Sequence, residues 1–168
     1  MDIGESLVGA YMRHKRHCHT IAFNQFIPGK QGEIDVIGIS GNGSEQQVWI
    51  AEVAIHLDGL NYGTHAETVR KIEMKVATAL EYSREIYQND RPVVEFWAPS
   101  VSRGLVDRLS IPGVEFVIND AFTERVNELA VIAASGTKQY GDASFRFLQL
   151  LTHLRGAGPT FQKPGGSL

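Results

Sequence analysis

Apolar and polar positions change period several times along the chain, and each change marks an element. Leu7, Val8, Tyr11 and Met12 recur at helical spacing, and Asp2 with Glu5 three residues later has the spacing of a capping box, so a helix is predicted over residues 2–16. Thr20 to Ile27 reads as a first strand closed by the turn signal Pro28-Gly29-Lys30. Glu33 to Ile39 and Val48 to His56 are β-branched runs joined by a Gly-, Asn- and Ser-rich connection, the pattern of a hairpin. Beyond the loop Leu57 to Gly63, Thr64 and Glu67 repeat the capping-box spacing. A long helix is predicted from there to Gln88, with the stripe Val69, Ile72, Val76, Ala79 and Leu80. Val93 to Ala98 and Val114 to Ile118 give a fourth and fifth strand, separated by a short helix from Ser100 to about Leu109. Asp120 is placed to cap a helix through Ala134, and a last helix spans Ala143 to Leu154. The fold class is α/β: a mixed sheet flanked by helices, one domain over residues 1–156 and a Gly- and Pro-rich tail, 157–168, expected to be flexible.

Composition narrows the functional classes. At 168 residues, 43% hydrophobic and 21% charged, the chain can bury a sizeable core. No apolar run approaches the roughly 18 residues that span a bilayer. The start lacks the pattern of a secretory signal, and the single Cys18 excludes an internal disulfide, so a cytoplasmic location is expected. A net charge of −3 supplies no global pull on nucleic acid, which would have to be held by a local basic patch or through a metal.

The sharpest chemical signal lies in the hairpin. Asp35 sits within Gly32-Glu33-Ile34-Asp35-Val36-Ile37-Gly38-Ile39, and Glu52 within Val48-Trp49-Ile50-Ala51-Glu52-Val53-Ala54. Carboxylates are poor strand residues and costly to bury unless paired or bound to a metal. Alternation puts Asp35 with Glu33 and Ile37 on one face, and Glu52 with Ile50, Ala54 and His56 on one face, so pairing of the two strands can bring the acids together. Two such carboxylates repel unless a cation lies between them, and hard oxygen donors suit Mg2+ or Mn2+. The bland reading is a solvated face or strand ends with the acids paired to lysines.

These segments, in this order of helix, strand, Gly-Glu-Ile-Asp strand, Glu-Val strand, helix and strand, resemble the PD-(D/E)XK nuclease superfamily, most closely its archaeal-type Holliday-junction resolvases and related small endonuclease-like proteins. The resemblance covers residues 4–98 and rests on short motifs. It implies a restriction-endonuclease-like αβββαβ core with additional C-terminal helices, and a Mg2+- or Mn2+-dependent endonuclease acting on nucleic acid, in particular DNA. Asp35 and Glu52 match the metal-binding acids, Val53 the residue whose main-chain carbonyl completes the metal shell, and Glu5 the helical glutamate of part of the superfamily. One position departs: the lysine expected two residues after Glu52 is replaced by Ala54. A methyl group cannot hold the attacking water or offset developing charge.

Geometry ranks the replacements. With Ile72 as reference and about 100° per residue, Lys75 flanks the buried stripe of its helix at about −60° while Lys71 lies further round at about −100°. Lys75 is therefore the expected stand-in, with Lys71 and His56 as alternatives and ordinary helix surface or a strand-end histidine as the bland account. Glu5 has a structural use in the capping box that competes with a catalytic one. The run Arg13-His14-Lys15-Arg16-His17-Cys18-His19 lacks zinc-site spacing and reads as a solvated basic surface able to touch phosphate. Trp49 and Trp97 read as core residues. Two functional classes follow: a metal-dependent nuclease, or a catalytically inactive nuclease-fold module that binds nucleic acid or a protein partner. A homodimer would suit the cutting of two strands, and no patch in the sequence identifies its interface.

Overall fold

The computed structural model describes residues 1–29, 32–139 and 141–156, and the expected flexible tail lies outside the described residues. Five strands form one sheet in chain order: β1 (Thr20–Phe26), β2 (Glu33–Ser40), β3 (Gln47–Val53), β4 (Val93–Ala98) and β5 (Val114–Ile118). β1, β2 and β3 pair antiparallel through short connections, whereas β3, β4 and β5 are parallel. The change of direction follows from α2 (His65–Tyr87), because a parallel return needs a long crossover. The architecture is therefore a mixed α/β sheet with the αβββαβ element order and further helices after it.

Each face of the sheet buries its own cluster. On one, Ile37, Ile50, Val94 and Phe96 pack with Ile72, Val76 and Ala79 of α2 and with Leu105 of the short α3 (Arg103–Val106). On the other, Val36, Ala51, Trp97 and Val117 meet Val8, Tyr11 and Met12 of α1 (Ile3–Lys15), Leu129 and Ala133 of α4 (Asp120–Ala134), and Phe145 of α5 (Ala143–Thr152). Both helix starts read from the sequence are capping boxes: Asp2 with Glu5, and Thr64 with Glu67. α1 lies so close to the sheet that a Cβ on Gly9 would come within 2.6 Å of the Phe23 ring.

Several boundaries move, each for a local reason. β3 stops at Val53, three residues before His56, because the backbone then turns: the His56 N–H donates to the Ala54 carbonyl and the Gly59 N–H to the His56 carbonyl. Asp120 is the first residue of α4, not its cap. Asn119 holds the cap position at φ 51°, and its side chain bonds the Val101 N–H and carbonyl instead. α5 ends at Thr152, before Leu154, and α3 occupies a fraction of the Ser100–Leu109 span. Asn24, at φ 49°, interrupts the middle of β1 opposite Asp35.

Candidate active site

The β2–β3 register places Val36 opposite Ala51, so Asp35 and Glu52 come next to one another at the end of the paired stretch. They share the face of Ile37 and Ile50, which is the face α2 covers. Beyond this point β2 and β3 exchange no further ladder bonds, and the freed Val53 N–H donates to Asp35 Oδ2 at 2.7 Å. A side chain thus completes the backbone where the strands part. Glu52 is 1% exposed and Asp35 8%.

Lys75 enters from α2, beside buried Ile72 and Val76. Its Nζ donates to Glu52 Oε2 and lies 3.8 Å from Asp35 Oδ2. The helix on which the lysine flanks the apolar stripe is the one laid over the strand acids, and so the amine reaches them from above. Ala54 is 4% exposed and joins the apolar cluster beneath α2.

Electrostatics follow from burial. Loss of water pushes the Glu52 carboxyl up to about 7; Lys75 pulls it down and Asp35 adds to the rise. Asp35 is raised for the same first reason, opposed by Lys75 and by the Val53 N–H, with Glu5 and Glu33 adding to it. Burial works against the Lys75 ammonium, yet the charges of Glu52 and Asp35 outweigh it and the net shift is upward. The site holds two buried acids beneath one partly exposed cation, and is short of positive charge.

The other expected residues are distributed around this centre. Glu5 stands on α1, close enough to add to the rise of Asp35, but both of its oxygens are engaged: Oε2 accepts from the Asp2 N–H at 2.8 Å, and Oε1 from Asn24 Nδ2 at 3.1 Å. Val53 is the last residue of β3. His56 is not on the acids' strand face, because the strand has ended. It is exposed, with its ring 5.8 Å edge-on to Tyr62. Among the described residues Lys71 makes no ion pair with the acids; its ammonium lies 4.0 Å from the centre of the Tyr62 ring. Tyr62 itself carries no sequence signal, being an aromatic in a Gly- and Asn-rich loop without periodicity. Burial raises its phenol, with Lys75 opposing and Asp35 and Glu52 adding.

The basic run at the end of α1 is only in part the solvated surface expected: Lys15, His17 and His19 are exposed, and the other members are partly or wholly buried. The Arg16 guanidinium donates at 2.7 Å to Glu95, which is wholly buried, and lies over the Trp49 ring. Glu95 also accepts from Trp97 Nε1. Trp97 is core, whereas Trp49 is half-buried with Nε1 on Ser40 Oγ. The His14 ring stacks on Phe145 at 4.0 Å. Cys18 is buried, and that burial pushes its thiol up to about 11, which disfavours the thiolate form.

A metal can be tested against these donors. Among the described residues, no group of three or more His, Cys, Asp or Glu side chains is arranged to hold an ion. Asp35 and Glu52 nevertheless suit Mg2+, which keeps most of its waters and binds through one or two carboxylates. Their raised affinities for a proton mark a place where added positive charge is stabilising. The donor set fits a hydrated hard cation and not a protein cage.

No protein-family model matches the chain, and no curated protein matches it. Among solved structures it is similar to a repair endonuclease from Pyrococcus abyssi, at 16% identity and a TM-score of 0.40. That likeness covers 69% of this chain and 46% of the other, so the chain spans less than half of that protein's length.

Proposed function

We propose that the chain is a metal-dependent nuclease hydrolysing phosphodiester bonds in nucleic acid, in particular DNA. The observation that carries this reading is a buried carboxylate pair with one lysine seated on it at the open end of two strands. Asp35 and Glu52 would hold Mg2+ or Mn2+, with the Val53 carbonyl as the third expected donor. When bound, such an ion lowers the pKa of a coordinated water and neutralises charge at the scissile phosphate. Lys75 would supply the donor that Ala54 lacks, hydrogen-bonding a non-bridging oxygen or the incoming water as charge develops. The three side chains come from β2, β3 and α2, so the helix replaces the strand as the carrier of the cation. Glu5, already bonded on both oxygens, is a positioning residue that holds Asn24 opposite Asp35.

The same lysine supports a second reading. An ammonium on Glu52 balances the acids without any metal, which would let an inactive nuclease-fold module keep both carboxylates. Cleavage of supercoiled plasmid and branched DNA with Mg2+, Mn2+ or EDTA separates the two. The nuclease reading expects metal-dependent cutting, lost by at least a hundredfold in Asp35→Asn and Glu52→Gln, the scale of removing a transition-state stabiliser. Lys75→Ala should inactivate. Combining it with Ala54→Lys, whose side chain would enter the space Lys75 vacates, should restore part of the rate. Undiminished cutting in EDTA would rule the mechanism out, and no cutting of any DNA would favour the module.

A further inference from the structure

Neither Tyr62, close enough to the carboxylates for their charges to act on its phenol, nor Lys71 on its ring has a part in the hydrolysis outlined above. The loop that carries Tyr62 is pinned at two points. The Tyr62 N–H donates to Thr68 Oγ1 at 3.1 Å, and Thr68 is itself buried against the Thr64 carbonyl. Leu60 is buried, and its N–H donates to the Ser100 carbonyl at 2.8 Å. The ring therefore has a fixed position relative to α2. On that ring sits the Lys71 ammonium, 4.0 Å from the centroid. An aromatic face orients a cation but does not neutralise it. Among the described residues, no carboxylate joins Lys71 at ion-pair distance, in contrast to Lys75 on Glu52. His56, exposed, stands at right angles to the same ring, 5.8 Å between centroids.

Spacing gives this charge a use. Lys71 and Lys75 are one helical turn apart, about 6 Å along the axis of α2. Phosphates of one DNA strand follow one another about every 3.4 Å along the duplex axis. On a strand lying along α2, a phosphate held at Lys71 would be one or two steps from one held at Lys75.

Building on the hydrolysis reading, we propose that Lys71, resting on Tyr62, is a backbone clamp: it grips a phosphate of the DNA strand adjacent to the one placed for cleavage. The ligand class is a polynucleotide backbone, read without regard to base. The ring of Tyr62 does the holding, not its hydroxyl.

Binding of a short fluorescent DNA strand, measured in EDTA by anisotropy over a series of salt concentrations, tests the clamp. Lys71→Ala is expected to weaken binding by about tenfold and to reduce the salt slope by about 0.7, the value of one phosphate contact on a single strand. Lys71→Arg and Tyr62→Phe should retain binding, and Tyr62→Leu should lose part of it. In steady-state cleavage, Lys71→Ala should raise KM far more than it lowers kcat. Wild-type affinity and salt slope in a folded Lys71→Ala protein would overturn the clamp, as would failure of the wild type to bind the strand. Weakened binding in Lys71→Ala with no cleavage by any variant would leave the clamp standing and remove the hydrolysis reading. Cleavage that needs Asp35 but is indifferent to Lys71 would do the reverse.

Discussion

Among single residues, Lys75 carries the largest consequence, because its ammonium lies within ion-pair distance of both buried acids. Glu52 is held at about 7 against an ordinary value of 4.5. Below pH 4.5 the group is protonated folded or unfolded and has no effect. As pH rises from 4.5 to 7 the folded state keeps a proton that the unfolded state has lost, so stability falls; above 7 the full cost is present. Lys75 has the opposite sense: its contribution is complete below its ordinary 10.5 and is lost only as pH rises through its higher folded value. Lys75→Met should therefore cost about 2 kcal/mol at pH 8, below the range for a wholly buried pair because the side chain is 31% exposed, and about half as much or less at pH 5. Urea unfolding at both pH values checks this. Glu52→Gln leaves Asp35 and Lys75 balanced, so it should stay within about 1 kcal/mol of wild type at pH 7 and flatten the pH dependence between 4.5 and 7. The pairing of the two acids was legible in the sequence, since a two-residue alternation on adjacent strands fixes which side chains share a face. The place of Tyr62 was not, because a loop aromatic has no period to read.

At the scale of elements, the two long helices were legible for different reasons and to different depths. The capping boxes and the apolar stripe of α2 specify its start, its length and the face it buries. For α1 the start was equally plain, but its basic end reads as solvent-facing in any charge count, although Arg16 folds back onto Glu95 beneath it. That contact makes the end of α1 a clip on β4. Removing the guanidinium would leave a carboxylate at 0% exposure with only the Trp97 N–H. Arg16→Ala should therefore destabilise by about 3 kcal/mol, whereas Arg16→Ala with Glu95→Gln should recover much of the loss. Chemical denaturation of the single and double variants measures it, and equal costs would show that the clip is incidental. Gly9 gives the complementary case. Alanine gains about 1 kcal/mol of helix propensity, yet its methyl would press on Phe23, so Gly9→Ala should lower the melting temperature.

For the whole molecule, topology decides where chemistry can sit. The sheet changes from antiparallel to parallel at β3, and the acids stand at the end of β2 and β3 where their pairing ceases. The helix that makes the crossover is the element that supplies the lysine. None of the described helices is long and apolar enough to cross a membrane. A cation bound at the acids would stabilise the fold by mass action, by about 2.7 kcal/mol at a hundredfold excess over its Kd. Mg2+ or Mn2+ should accordingly raise the melting temperature of the wild type but not of the Asp35→Asn, Glu52→Gln double variant, and Lys75→Ala should sharpen the response by removing a competitor for the same carboxylates. Identical melting with and without the ions in wild type would leave Lys75 as the sole counter-charge.

The bond from the Val53 N–H to Asp35 gives the site a spectroscopic voice of its own. This amide has a carboxylate for its acceptor where a strand would ordinarily provide a carbonyl, so its environment follows whatever happens to that carboxylate. When Asp35 gains a proton or turns to a cation, the amide loses part of its acceptor, and its nitrogen and proton resonances shift while its hydrogen exchange quickens. Neighbouring amides within the β2–β3 ladder, such as that of Ala51, keep their partners and stay still. One backbone resonance thus reports occupancy of the carboxylate pair, with no substrate and no turnover required.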